Sequence, residues 1–108
     1  MKWKRIVAII RGSVLEQVED RLKQLGVRGI TVSQVKGYGE YANLCKGDWL
    51  VSNARIEIFS QQSQVDGVVA AILEAAHAGV PGDGLVAVMP VEKLYRIRTK
   101  AEIAPGEV

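Results

Sequence analysis

The stretch Gly79-Val80-Pro81-Gly82-Asp83-Gly84 is the part of this chain best suited to approach an anion closely. Its glycines impose no side chain on the approach, and successive backbone N–H groups in such a turn form an anion-binding nest. The loop follows a helical pattern, so the nearby helix dipole presents its negative end and works against phosphate. Added cations are therefore required. Arg96 and Arg98 stand two residues apart on an alternating segment, so they leave one face together and can make charge-assisted contacts with phosphate. A plain turn beside a solvated pair of arginines is the competing reading, and spacing alone leaves both open.

Other reactive residue types carry less. His77 lies among Ala75, Ala76 and Ala78 near a helix end, with no evident acid–base partner, and reads as a cap or surface histidine. Cys45 beside Lys46 reads as a plain loop thiol. One cysteine and one histidine supply no cluster at metal-ligand spacing. No catalytic constellation is present, so the chain is expected to be neither an enzyme nor a cofactor carrier. Lys36-Gly37-Tyr38-Gly39 matches the opening of an RNA-recognition consensus, but Glu40, Tyr41 and Asn43 break it. A net charge of +2 also falls short of what a phosphate-neutralising surface needs, and no nucleic-acid partner is expected.

The elements that must position these residues follow from periodicity. At 108 residues, 48% hydrophobic and 24% charged, the sequence has the composition of one folded domain rather than a disordered chain. No run of eighteen apolar residues exists, and Arg11 cuts short the apolar run after the basic start, which fails as a signal peptide. A lone Cys45 suits a reducing, cytoplasmic setting. Residues 6–10 are continuously apolar and read as a strand buried on both faces. Val14, Leu15, Val18, Leu22 and Leu25 form a helical stripe, with Ser13 as the expected N-cap and Gly26 as the stop. Residues 27–35 alternate as a second strand.

Between 36 and 53 the pattern is lost over a length typical of functional loops. The first theme then returns: a strand over 55–60, a helical stripe of Val65, Val68, Val69, Ile72, Leu73 and Ala76, and a strand over 85–91. Residues 93–100 read as a short edge strand and 101–108 as a tail. This order gives an α+β, ferredoxin-like βαββαβ fold, a four-stranded antiparallel sheet with both helices on one face. The first and last of those strands are apolar on both faces, so the open face is expected to be covered by further copies in a closed cyclic oligomer.

Residues 26–39, Gly-Val-Arg-Gly-Ile-Thr-Val-Ser-Gln-Val-Lys-Gly-Tyr-Gly, resemble the second strand and loop entry of the PII nitrogen-regulatory signal-transduction proteins. Gly82-Asp83-Gly84 and Arg96-Ile97-Arg98-Thr99 resemble that family's two phosphate-binding loops, in the same order. The resemblance spans roughly residues 4–100 of a single domain 1–108. It implies a homotrimer with an adenine nucleotide in each cleft between subunits. Ile9, Thr31, Glu57 and Phe59 then fall beside the base. Gly37, Gly39, Gly82, Asp83 and Gly84 fall at the phosphates, with Arg96 and Arg98 pairing them. Loops 78–85 and 93–100 become the phosphate loops, and 36–53 a flexible effector loop acting on a membrane transporter or an enzyme. That loop carries Tyr38, Glu40, Tyr41, Cys45 and Trp49.

The departures from the family pattern refine this. The usual lysine after Gly-Asp-Gly is Leu85, and the usual arginine after the second loop glycine is Glu40. Losing one cation and reversing another beside a triphosphate favours ADP or AMP over ATP. Tyr41 stands where the family has its magnesium- and 2-oxoglutarate-binding glutamine, and Cys45 where it has the modified tyrosine. Neither a 2-oxoglutarate response nor uridylylation is expected. A vacated terminal-phosphate position bounded by Arg98 suits a small anion such as bicarbonate. A metal-responsive trimer of the divalent-cation-tolerance type, with the same fold, is the alternative. Acylphosphatase also shares the strand order, but beyond Arg11-Gly12 its motif is absent.

Overall fold

The computed structural model describes residues 2–36 and 53–104. Its elements run β1 (Trp3–Arg11), α1 (Leu15–Gln24), β2 (Thr31–Val35), β3 (Asn53–Gln61), α2 (Val65–Ala76), β4 (Gly84–Val91), β5 (Tyr95–Arg96) and β6 (Ala101–Glu102). The first four strands form one antiparallel sheet in the order β2-β3-β1-β4, so the expected α+β architecture is present. A short 3-10 turn leads into each helix, Gly12–Val14 before α1 and Gln62–Gln64 before α2, which repeats the same corner in both halves.

One sheet face and one stripe of each helix make the core. Ile6, Ala8 and Ile10 alternate along β1 and meet Ile56 and Ile58 of β3, while Val18, Leu22, Val68 and Ile72 close over them from the helices. Ile6, Ile10, Leu22, Ile56, Ile72 and Val18 are the largest side chains fully removed from water. Each such burial stabilises the fold by about 1.5–3 kcal/mol. Truncating one of them, Leu22→Ala for instance, is expected to cost about 2–5 kcal/mol because the neighbours cannot close the cavity.

Gly26 ends α1 as expected: at φ +89° its N–H donates to the Lys23 carbonyl at 3.0 Å and Val27 N–H to the Leu22 carbonyl at 3.0 Å. This double bond pattern is a Schellman cap, which a left-handed glycine permits. Three expectations are corrected. Ser13 is not an N-cap: it lies inside the 3-10 turn, and Arg11 and Val14 hold the cap positions without side-chain bonds. The second strand spans only Thr31–Val35, not 27–35, because Val27 and Ile30 both pack against the core. A spacing of three cannot put two residues on one face of a strand.

The third correction concerns the C-terminal segment. Residues 93–100 do not form one edge strand, and 101–108 is not all tail: Tyr95 pairs with Glu102 and Arg96 with Ala101 in a separate hairpin. Lys100 takes a left-handed φ of 57°, and its N–H donates to the Arg96 carbonyl at 2.9 Å, which turns the chain back.

The open sheet face differs from an unbroken apolar surface. In register there, Arg5, Val7 and Ile9 of β1 lie between Phe59, Glu57 and Arg55 of β3 and Met89, Ala87 and Leu85 of β4. Arg5 donates to the Glu57 carboxylate, and Arg55 lies 3.7 Å from the same carboxylate. An ion network thus interrupts the apolar positions, of which Phe59 and Leu85 remain about two-fifths exposed.

Candidate functional site

Beside the start of β4, α2 stops at Ala76, and His77 turns extended at φ −69°, ψ 129°. The glycine-rich loop that follows is organised by Asp83. Its Oδ2 accepts from Ala78 N–H at 2.9 Å and Gly79 N–H at 2.8 Å, and its Oδ1 accepts from Arg11 Nη1. Arg11 Nη2 donates to the Pro81 carbonyl at 2.8 Å. The Ala78 amide, the Arg11 guanidinium and the Gly79 amide together hold the Asp83 carboxyl well below the usual carboxylate range. His77 Nδ1 stands 3.8 Å from Asp83 Oδ2 on a largely exposed ring.

Two glycines are fixed by contact as well as by dihedral. A Cβ on Gly84, at φ +110°, would fall 1.8 Å from the Ile9 carbonyl oxygen, because β4 starts hard against β1. A Cβ on Gly82, at φ +94°, would fall 3.0 Å from Arg11 Nη2. The guanidinium therefore lies against a buried glycine, and the loop is packed over it.

At the other end, the β5–β6 hairpin closes over the sheet. A cleft of about 540 Å³ is lined there by Thr31, Glu57 and Phe59, together with Leu94, Tyr95 and Ile103. Arg96 lies in β5, whereas Arg98 lies exposed in the turn beyond it. The two arginines consequently do not leave one strand face together. Their spacing of two is interrupted by the turn at 97–100.

Thr31, Glu57 and Phe59 are thus brought together, and Ile9, Gly82, Asp83 and Gly84 form a second group near the glycine loop. The groups adjoin along the sheet, since Ile9 stands two positions along β1 from Val7, the partner of Glu57, and only their far ends lie well apart. Phe59 is in register with Arg5 and Met89, five positions along β4 from Gly84. At about 3.3 Å per residue that is roughly 17 Å along the strand alone. Gly37 and Gly39, and the effector-loop residues Tyr38, Glu40, Tyr41, Cys45 and Trp49, lie outside the described residues.

Sequence reasoning missed four residues. Leu94, Tyr95 and Ile103 escape a reading of the sequence, because alternation over 93–100 looks like an edge strand followed by a tail. Arg11 was hidden because its contact with Asp83 spans 72 residues of sequence. A signal for it existed: an acidic residue in a glycine turn at a helix C-terminus needs a cation, and an arginine ends the strand that pairs with β4. Among the described residues, no group of three or more His, Cys, Asp or Glu side chains is placed to hold a metal ion, and no helix is long and apolar enough to cross a membrane.

A four-stranded antiparallel sheet with two helices on one face, a glycine loop at one end and a basic hairpin at the other define a small α+β class of ferredoxin-like topology. The chain belongs to the nitrogen regulatory protein P-II family, whose family model matches residues 3–101. It is 39% identical over 103 residues to the nitrogen regulatory protein P-II of Azospirillum brasilense, covering 89% of this chain and 92% of that protein. It is 33% identical over 120 residues to an Arabidopsis thaliana P-II homologue, covering 99% of this chain but 61% of that protein. Among solved structures it is similar to Arabidopsis thaliana PII bound to citrate, with a TM-score of 0.81 and 34% identity over 99% of this chain and 92% of that one.

Proposed function

We propose that this P-II family regulator is a non-enzymatic nucleotide sensor. In this reading domain 1–108 assembles as a homotrimer, binds an adenine nucleotide between adjacent copies with ADP or AMP preferred over ATP, and acts in the cytoplasm on a membrane transporter or an enzyme through residues 36–53. Loops 78–85 and 93–100 serve as its phosphate loops. Bicarbonate is the candidate second ligand.

The observation that carries the reading is that the glycine loop and the cleft at Phe59 share the open sheet face but stand at its two ends. Gly82, Asp83 and Gly84 sit at one end of the open face and Phe59 toward the other, with Ile9, Glu57 and Thr31 between them. In this reading one nucleotide bridges the glycine-loop end of one copy and the cleft end of the next. The open face itself supports assembly, since Phe59 and Leu85 are left about two-fifths exposed. Leu85, apolar and next to Gly84, adds no positive charge at the phosphate end, which supports the preference for shorter phosphate chains.

Isothermal titration with AMP, ADP and ATP, each with and without bicarbonate, alongside light-scattering mass determination, tests the reading. Three-fold mass and tighter binding of AMP or ADP than ATP are expected. A monomer, or tight magnesium–ATP binding strengthened by 2-oxoglutarate, would overturn it. Metal-ion titration addresses the divalent-cation alternative, which no ligand cluster among the described residues favours.

A further inference from the structure

We propose that Arg11 is the charge-balancing and positioning residue of the phosphate end, the group that lets an acidic glycine loop accept a polyphosphate. The proposal rests on the nucleotide reading above and adds to it a residue for phosphate-number selectivity.

Asp83 stands where a carboxylate is electrostatically misplaced. It follows the C-terminus of α2, whose dipole end is negative, and it lies within a loop that is to approach phosphate. Two amides of that loop, Ala78 and Gly79, donate to Asp83 and are engaged inside the loop. The carboxylate is therefore a brace rather than a ligand, and left alone it would repel phosphate. Arg11 addresses both problems at once. Nη1 takes the second carboxylate oxygen and Nη2 takes the Pro81 carbonyl at 2.8 Å, so a single guanidinium ties the two flanks of Gly82 together.

The fit is steric as well as electrostatic. The Cβ position of buried Gly82 lies 3.0 Å from Nη2, so the loop is shaped around the guanidinium. A guanidinium carries five N–H donors in a planar fork. Asp83 and Pro81 use two of them in the contacts described here. A lysine ammonium is a point charge and cannot reproduce the fork. Arg11 also ends β1, whose Ile10 is in register with Gly84, so its position is set by the sheet and not by the loop it holds.

Removing the Arg11 charge both frees the loop and uncovers a negative charge beside the phosphates. The resulting loss must then grow with the number of phosphates, and removing the Asp83 charge as well must recover part of it. A merely structural role predicts neither. The experiment is titration of AMP, ADP and ATP into the wild-type chain and its R11K, R11M and R11M/D83N variants, with circular dichroism confirming the fold. Should R11M not fold, R11Q retains a donor for Pro81 without the charge and serves in its place.

For R11M, ATP binding is expected to weaken roughly ten-fold or more and AMP only about two- to three-fold, with ADP between them. R11K is expected to fall between wild type and R11M, and R11M/D83N to bind ATP more tightly than R11M. Equal weakening of all three nucleotides, or no change while the wild type binds, would overturn the role of Arg11 and leave the nucleotide site standing. A wild-type chain that binds none of the three would overturn the nucleotide reading, and this role with it.

Discussion

At the start of β4 the chain is braced from several directions: Asp83 accepts from two loop amides and from Arg11, and Gly84 abuts the Ile9 carbonyl. Beyond the end of β4 the chain makes a hairpin with two residues per strand, its turn closed by Lys100 N–H to the Arg96 and Ile97 carbonyls. Ile97 is 93% exposed at its tip, and Arg98 beside it faces solvent. The two loops expected to share a phosphate are thus unlike in construction. One is preorganised by exposed and part-buried hydrogen bonds within its own chain. The other is a short hairpin whose turn presents an apolar and a basic side chain outward, as an element does that is ordered further by a neighbour or a ligand.

Substitutions break that comparison at different points. The largest effect is expected from Gly84→Val, which forces a branched side chain into the Ile9 backbone at a positive φ. A loss of about 4 kcal/mol or more, or failure to fold, is expected from such overlap, and urea unfolding measures it. A mild effect would mean that β4 can move off β1, and the glycine-loop end would no longer count as rigid.

Arg98→Ala tests the opposite end. Removing an exposed turn arginine leaves stability within about 0.5 kcal/mol. Nucleotide affinity is expected to fall roughly ten-fold, the usual weight of a charge-assisted contact. Calorimetric titration and thermal melting separate the two quantities. Unchanged affinity would remove the hairpin from the site.

Asp83→Asn reads the brace through pH. The folded carboxyl titrates below its ordinary range, so its contribution to stability is complete above about pH 4 and is lost as pH falls further toward the folded pKa. Wild type is therefore expected to melt above the variant at neutral pH, with the gap narrowing on acidification. A gap independent of pH from 7 to 2 would assign the substitution's effect to shape instead of charge.

The smallest effect belongs to neither end. Arg21 on α1 reaches Glu74 on α2 at 2.9 Å, but the side chains are 40% and 71% exposed. Arg21→Ala is expected to change stability by less than about 0.5 kcal/mol, because solvent screens such pairs. A larger change in the unfolding midpoint would show that this helix contact, and not the loop ends, governs the fold's margin.

Much of this molecule is legible in its sequence. The strand at 6–10, the stripe Val14, Val18, Leu22 and the stripe Val65, Val68, Ile72 have periods fixed by which face must be dry, and the structure buries Val18, Leu22, Val68 and Ile72 accordingly. Gly26 announces its cap because a left-handed residue is needed there and glycine adopts it at little steric cost. Gly82, Asp83 and Gly84 stand out by composition, and family resemblance supplies their company. Local propensity and periodicity determine such features, since each depends on residues within a few positions of one another.

What only the tertiary structure decides are relations between distant residues. Val27 looks like part of a strand until the Schellman turn points it, with Ile30, into the core. Arg96 and Arg98 look like one face until Lys100 turns the chain between the two short strands. Arg11 looks like the charged end of an apolar run until antiparallel pairing carries Gly84 alongside Ile10 and sets Asp83 within its reach. Pattern in a sequence reports which side of an element is buried, but it carries no measure of which charge meets which. Strand register supplies that measure, and it brings the Arg11 cation to the glycine loop.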